Sequence, residues 1–197
     1  LMRCQTAEEF IEKRHELEES GRWSELILGE PVSLEPPPPR HGTAVLNITK
    51  ALADYIQRTS TGYACFELGL TVARGPDTVY CPPISYFATG SRWEEMDRII
   101  TSTQPALVIE IASSQDRSQN LTQRVPDYLE WGVTVVWVID TESQQVSVHT
   151  AEGTVNFPGD GQLEASAGWA SHRNQTPVLA GFRFPVIEFF REPEWMS

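Results

Sequence analysis

The sequence predicts an α+β fold, a mixed β-sheet flanked by helices and extended by β-hairpins. Three observations lead there. Two continuous apolar runs, Leu107–Ala112 and Val133–Ile139, read as strands covered on both faces. Between them Leu121, Val125, Tyr128 and Leu129 recur at helical spacing, and Gly132 stops the helix, which makes a strand–helix–strand unit. Strict alternation at Phe66, Leu68, Leu70 and Val72 marks a strand of another kind, half-buried.

The remaining elements follow in order. Residues 6–20 read as an acidic helix, with Thr6 and Glu9 at capping-box spacing and Gly21 at its end; its glutamates form a solvated face. Residues 23–32 read as a strand, a turn at Gly29 and a short return strand. Pro36–Pro39 is a stiff spacer leading into a helix over about His41–Arg58, with Val45, Ile48, Leu52, Tyr55 and Ile56 on one stripe. The Gly75-Pro-Asp77 turn leads to a strand ending at Cys81-Pro-Pro-Ile84. Residues 88–104 are a polar loop with a short helix around Trp93–Ile100. After Asp140 a turn makes a hairpin into Val146–His149, a weaker strand pair covers 153–165, and the tail from Pro177 to Phe190 closes the fold. Residues 1–197 are expected to form a single domain.

Composition narrows the function. Net charge is −12, and only two of the 15 basic residues are lysines, Lys13 and Lys50. Proteins that grip nucleic acid neutralise phosphates with clustered Lys and Arg, so DNA is a disfavoured partner. No apolar run reaches the roughly 20 residues of a membrane helix, and no signal peptide is visible. Cys4, Cys65 and Cys81 are unclustered, as expected of reduced thiols, and a cytoplasmic location is expected. His15, His41, His149 and His172 show no zinc spacing, and no nucleophile elbow or phosphate-binding loop occurs. Ser113 and Ser114 read as helix caps, and Cys81 as a small residue at a strand end. Glu110, a carboxylate inside an apolar strand, needs a partner to stay ionised.

Six blocks in order, Ser24-Glu-Leu-Ile-Leu-Gly-Glu30, Pro39-Arg-His-Gly42, Pro82-Pro-Ile-Ser-Tyr-Phe87, Leu107-Val-Ile-Glu-Ile-Ala-Ser113, Tyr128-Leu-Glu-Trp-Gly-Val133 and Val178-Leu-Ala-Gly-Phe-Arg-Phe184, resemble the Uma-type restriction endonuclease family of the PD-(D/E)XK nuclease-like superfamily. The resemblance spans roughly residues 6–190. It implies a restriction-endonuclease-like sheet of four to five strands, a bacterial origin, homodimers, and Mg²⁺- or Mn²⁺-dependent cleavage of DNA. It also places the family's site. The metal-binding Asp falls on Pro83, the strand Glu on Glu110, the lysine on Arg124, the upstream Glu on Glu25 and the helix-start His on His41.

Two central positions thus depart from the pattern. Proline leaves only a backbone carbonyl where Mg²⁺ would have a carboxylate, so Glu110 alone would hold a metal weakly. Arg124 can stabilise charge but cannot deprotonate water, and Pro126 is expected to kink or restart its helix. Glu67, Asp77 and Asp116 are the carboxylates available to compensate. Two functions follow: a catalytically degenerate binding or assembly module with no cofactor, or a metal-dependent endonuclease with a rearranged site.

Overall fold

Both long apolar runs are neighbouring strands, and the remaining elements are laid against them. The computed structural model describes residues 4–90, 94–95, 97–166, 169–170 and 177–193. Helix α1 (Ala7–Lys13) starts at Thr6, whose hydroxyl accepts from the Glu9 N–H while the Glu9 carboxylate accepts from the Thr6 N–H. It is shorter than predicted. Leu17 is extended, Glu19 and Ser20 are left-handed, and the chain closes through 3-10 turns at Arg14–Glu16 and Glu18–Gly21. Arg14 replaces the missing helical bonds by donating its Nε to the Gly21 carbonyl at 2.6 Å.

Strands β1 (Ser24–Ile27) and β2 (Glu30–Ser33) form the expected hairpin, with Leu28 and Gly29 at positive φ in the turn. Helix α2 (Pro39–Thr59) begins earlier than predicted. A proline in the first helical position has no N–H to satisfy, so Pro39 belongs to the helix and not to the spacer.

The alternating stretch from Phe66 to Val72 is two strands. Glu67, at φ +50, turns the chain out of β3 (Tyr63–Phe66) and into β4 (Gly69–Ala73), which lies in a different sheet. Alternation reports burial of one face and does not register a change of sheet. Strand β5 (Thr78–Tyr80) ends before Cys81, and β6 (Ile84–Phe87) begins right after Pro83. The two prolines separate two strands instead of closing one, because neither can donate to a ladder.

Strand β7 (Ile100–Thr101) occupies the end of the helix expected around Trp93–Ile100, the rest of which lies partly outside the described residues. Strand β8 (Leu107–Ala112), helix α3 (Gln115–Trp131) and strand β9 (Val135–Asp140) are the predicted central unit. Helix α3 runs through Pro126. That proline is exposed, so the Thr122 carbonyl it leaves unpaired is on the solvent side, where water can satisfy it. The hairpin strand β10 (Gln145–Thr150) follows, then β11 (Gly153–Phe157), β12 (Gln162–Glu164) and β13 (Arg183–Pro185). The strand pair predicted over 153–165 is divided: β11 pairs with β10, and β12 with β13 of the tail.

The main sheet has six strands, one or two more than expected, in the order β11-β10-β9-β8-β6-β3. Only β8 and β9 among them run parallel, as the helical crossover requires. One face carries Leu107, Ile109 and Trp137 against Ile48 and Leu52 of α2 and Phe182 and Phe189 of the tail. The other carries Val108 and Val136 against Val125 and Tyr128 of α3. Each fully buried side chain of this size contributes about 1.5–3 kcal/mol. The smaller sheet, β2-β1-β5-β4-β7, packs Leu26 and Val79 against Phe10 of α1. No helix among the described residues is long and apolar enough to cross a membrane.

Asp77 holds α1 to this second sheet. Its Oδ2 accepts from the Ala7 N–H and from Arg74 Nη1, both at 2.8 Å, and its Oδ1 accepts from the Gly75 N–H at 3.2 Å. Burial works against its charge, but these donors hold the carboxyl below the ordinary aspartate value. A lowered folded pKa gives stability above the unfolded value and loses it as pH falls through the folded one. Asp77→Ala is therefore expected to cost about 1.5–3 kcal/mol at neutral pH. The difference from wild type should shrink below about pH 4, as read by urea unfolding at both pH values.

Candidate functional site

The α3-facing side of β8 carries Val108 and Glu110, alternating with Leu107, Ile109 and Ile111 on the other side. Glu110 thus points at the buried stripe of α3, where Leu121, Arg124, Val125 and Tyr128 recur one turn apart. The Arg124 guanidinium lies between two carboxylates. Its Nη2 donates to Glu110 Oε1 at 2.7 Å and its Nη1 to Glu25 Oε2 at 2.8 Å. Arg124, Glu110 and Glu25 are exposed by only 6%, 5% and 3%, so this is a buried triad and not a surface pair.

Three further groups fix it. The Tyr128 hydroxyl donates to Glu110 Oε1 at 2.7 Å and lies 3.2 Å from Arg124 Nη2. The Cys81 N–H donates to Glu25 Oε1 at 2.7 Å. The Tyr80 ring lies under the guanidinium, 4.6 Å from its centre, and its hydroxyl donates to Asp127 Oδ2 at 2.6 Å.

The electrostatics follow from burial. Loss of water pushes the Glu110 carboxyl above its ordinary value, opposed by Arg124 and reinforced by Glu25. Burial disfavours the Arg124 charge, but the two carboxylates outweigh it and hold the guanidinium well above its usual range. Burial, partly offset by Arg124, keeps the Tyr128 phenol protonated far above neutrality. Burial also pushes the Cys81 thiol to about 12, which makes it a poor nucleophile.

The other two sequence-predicted positions sit beside the triad. Pro83 lies just outside the β6–β8 ladder, whose last pair is Ile84 with Ile109, and so falls level with Glu110. Its carbonyl accepts from the Glu67 N–H at 3.3 Å. His41, in the first turn of α2, shares a 2.9 Å hydrogen bond between Nδ1 and Ser113 Oγ, and Arg40 donates twice to the Ser113 carbonyl. Pro83, His41 and Glu25 line a cavity of about 30 Å³ together with Glu67 and Cys81, room for a water molecule or two. Of the carboxylates considered as compensating ligands, Asp77 is committed to α1, Glu67 reaches that small cavity, and the Asp116 side chain lies outside the described residues.

These residues do not fit a divalent metal. Mg²⁺ takes carboxylate oxygens at about 2.0–2.1 Å, and the sides of Glu25 and Glu110 that face each other are filled by a guanidinium. No other cluster of His, Cys, Asp or Glu suited to a metal occurs among the described residues. Tyr128 and Tyr80 are the members of the site that sequence reasoning missed. The signal for Tyr128 was its spacing: an aromatic with a hydroxyl, one helical turn after a buried Arg.

The chain matches, over residues 7–171, the model of the Uma2 family, described as "Putative restriction endonuclease". Among crystal structures it is similar to a protein described as "a putative nuclease belonging to DUF820" from Anabaena variabilis ATCC 29413. The two are 21% identical, with a TM-score of 0.69 over 94% of this chain and 97% of that one. At that identity the likeness is one of fold. No curated protein matches.

Removing the cation should be far worse than removing one anion. Arg124→Met leaves two carboxylates buried together and should cost about 3–5 kcal/mol at neutral pH. Glu110→Gln leaves one ion pair and should cost about 1–2 kcal/mol. Carboxyls raised in the folded state bind protons more tightly there than in the unfolded chain, so their contribution to stability is full at low pH and lost as pH rises. The Arg124→Met variant should accordingly gain stability relative to wild type as pH is lowered from 7 towards 5. Equal losses for the two variants in urea unfolding would show that Arg124 is not the shared counter-ion.

Proposed function

The chain belongs to the Uma2 family of restriction-endonuclease-like proteins, and from that premise we propose that it does not cleave DNA but serves as a binding or assembly module built on the nuclease fold. The observation that carries this reading is the Arg124 guanidinium within 2.8 Å of both Glu25 and Glu110. Metal-dependent hydrolysis needs a metal to lower the pKa of a bound water and to neutralise the charge that builds on the phosphate. Here the cation held by the carboxylates is a side chain. A guanidinium offers no coordination position at which a water could be activated, and it does not give up a proton.

Two further features support the reading. Pro83 supplies no carboxylate, and its carbonyl is engaged by Glu67. Large clefts of about 620 and 840 Å³ are lined without a lysine or an arginine, while Asp127 and Glu130 line the first and Glu130 also the second. Phosphate backbones are held by basic groups, and a chain of net charge −12 without them in these two clefts is poorly built for DNA; Arg14 and Arg22 line only the small cavity of about 30 Å³ beside Glu25.

Supercoiled plasmid incubated with the purified protein and Mg²⁺ or Mn²⁺ should remain supercoiled, at the level of a protein-free control. Mn²⁺ should also leave the melting temperature of the wild-type protein unchanged. Pro83→Asp combined with Arg124→Lys restores both family positions and should make the melting temperature rise with Mn²⁺. Metal-dependent nicking by the wild type, lost in Glu110→Ala, would instead establish an endonuclease with a rearranged site.

A further inference from the structure

The carbonyl end of an α-helix carries a partial negative charge, and a cation in the last turn compensates it. Helix α3 lacks that compensation. Its last turn has no basic residue and holds Glu130, with Asp127 three residues earlier on the same cleft wall. Side chains at this spacing are neighbours, so the two like charges also repel each other. Among the described residues neither carboxylate is paired with a cation. Asp127 is fixed by two neutral donors, the Tyr80 hydroxyl at 2.6 Å and Gln123 Nε2 at 2.7 Å. It is held in place with its charge uncompensated, and a carboxylate has lone pairs for further donors.

The cleft that these carboxylates line has a volume of about 620 Å³, and much of its remaining wall is apolar, with Ile27, Leu28, Val72 and Trp131. Leu28 is 61% exposed. It stands in the β1–β2 turn with a left-handed backbone, φ +51, where Gly or Asn would fit with less strain. The turn itself gives no reason for an exposed leucine, whereas an apolar contact made from outside does.

We propose that this cleft is the docking site for a segment of a partner protein in which an arginine stands among apolar residues. Charge complementarity selects a cation, since the carboxylates and the helix end all carry the same sign. The apolar wall selects a polypeptide. A free amine would neutralise the carboxylates but leave Ile27, Leu28 and Val72 in water, whereas apolar neighbours of the cation cover them. Arginine suits the site better than lysine, because its planar group donates to two carboxylates and stacks on an indole. The proposal takes the binding-module reading as its premise, and the two fail separately: plasmid nicking would overturn that reading and leave peptide binding at this cleft unchanged.

Fluorescence anisotropy tests it, with labelled heptapeptides that carry a central arginine flanked by leucine and valine. The wild type should bind them, and replacing the arginine by citrulline should weaken binding by about tenfold or more. Glu130→Gln removes an exposed charge and should weaken binding about threefold. Adding Asp127→Asn should bring the loss to about tenfold. Glu142→Gln removes the same charge beyond the far end of β9 and should change nothing. Leu28→Asn should weaken binding without lowering the melting temperature. A wild type that binds no peptide, a citrulline peptide that binds as well, or a Leu28→Asn variant that binds normally each overturns the proposal. So do equal losses in Glu130→Gln and Glu142→Gln, and so does full displacement by an equal concentration of spermidine, which would assign the cleft to a free amine.

Discussion

A guanidinium taken out of water has to be met by anions and hydrogen-bond acceptors, and Arg124 is met by two carboxylates at 2.8 and 2.7 Å. Burial pushes the Glu110 carboxyl up, and that cation opposes the push. Each of the three residues is thus a condition for burying the other two. They come from three different places: Glu25 from β1 in the smaller sheet, Glu110 from β8 in the main sheet, and Arg124 from α3. The smaller sheet, the main sheet and the helix are consequently held in one relative arrangement by a charge cluster with little freedom to slide. Apolar contacts between the same layers are less directional and would tolerate several positions.

The groups around the triad make it stiffer still. Tyr128 lies one turn along α3 from Arg124 and bonds the same oxygen of Glu110, so the helix grips β8 at two points. Tyr80 supports the guanidinium from β5 and is itself fixed to Asp127 of α3. A nuclease site needs a base or a water that changes protonation during turnover. Here the arginine, both tyrosines and the Cys81 thiol hold their protons more firmly than they ordinarily would.

Much of this was legible in the sequence, and the reasons for the misses are physical. The central unit could be read because β8 and β9 are covered on both faces and α3 is not, which gives two continuous apolar runs and one periodic one. The β3–β4 boundary could not. It depends on the left-handed backbone at Glu67, a residue with no special tendency to adopt it. Arg124 could be placed only through its spacing from the Tyr128 block, and Pro126 was expected to kink or restart its helix. Exposure of Pro126 removed that difficulty, because the helix loses its bond on the side facing water. The partnership with Glu25 spans 99 residues of sequence and joins two sheets, and no local pattern encodes such a contact.

On the positions that the resemblance implies, the proline at 83 and the arginine at 124 also explain each other. With an Asp at position 83, Glu25 and Glu110 would belong to a set of three carboxylates, a concentration of charge that suits a divalent ion and overwhelms a single arginine. With proline there, two carboxylates remain. One guanidinium and the Tyr128 hydroxyl are enough to hold them, and burial raises Glu110 to meet the remaining excess. A lysine at position 124 would give one compact ammonium on a flexible stem. Arginine gives a planar fork that reaches both carboxylates at once. Losing the aspartate without gaining the arginine would leave a weak metal site. Gaining the arginine without losing the aspartate would leave an unpaired buried charge. On that mapping, proline at 83 and arginine at 124 together leave two carboxylates that one guanidinium reaches at 2.7 and 2.8 Å.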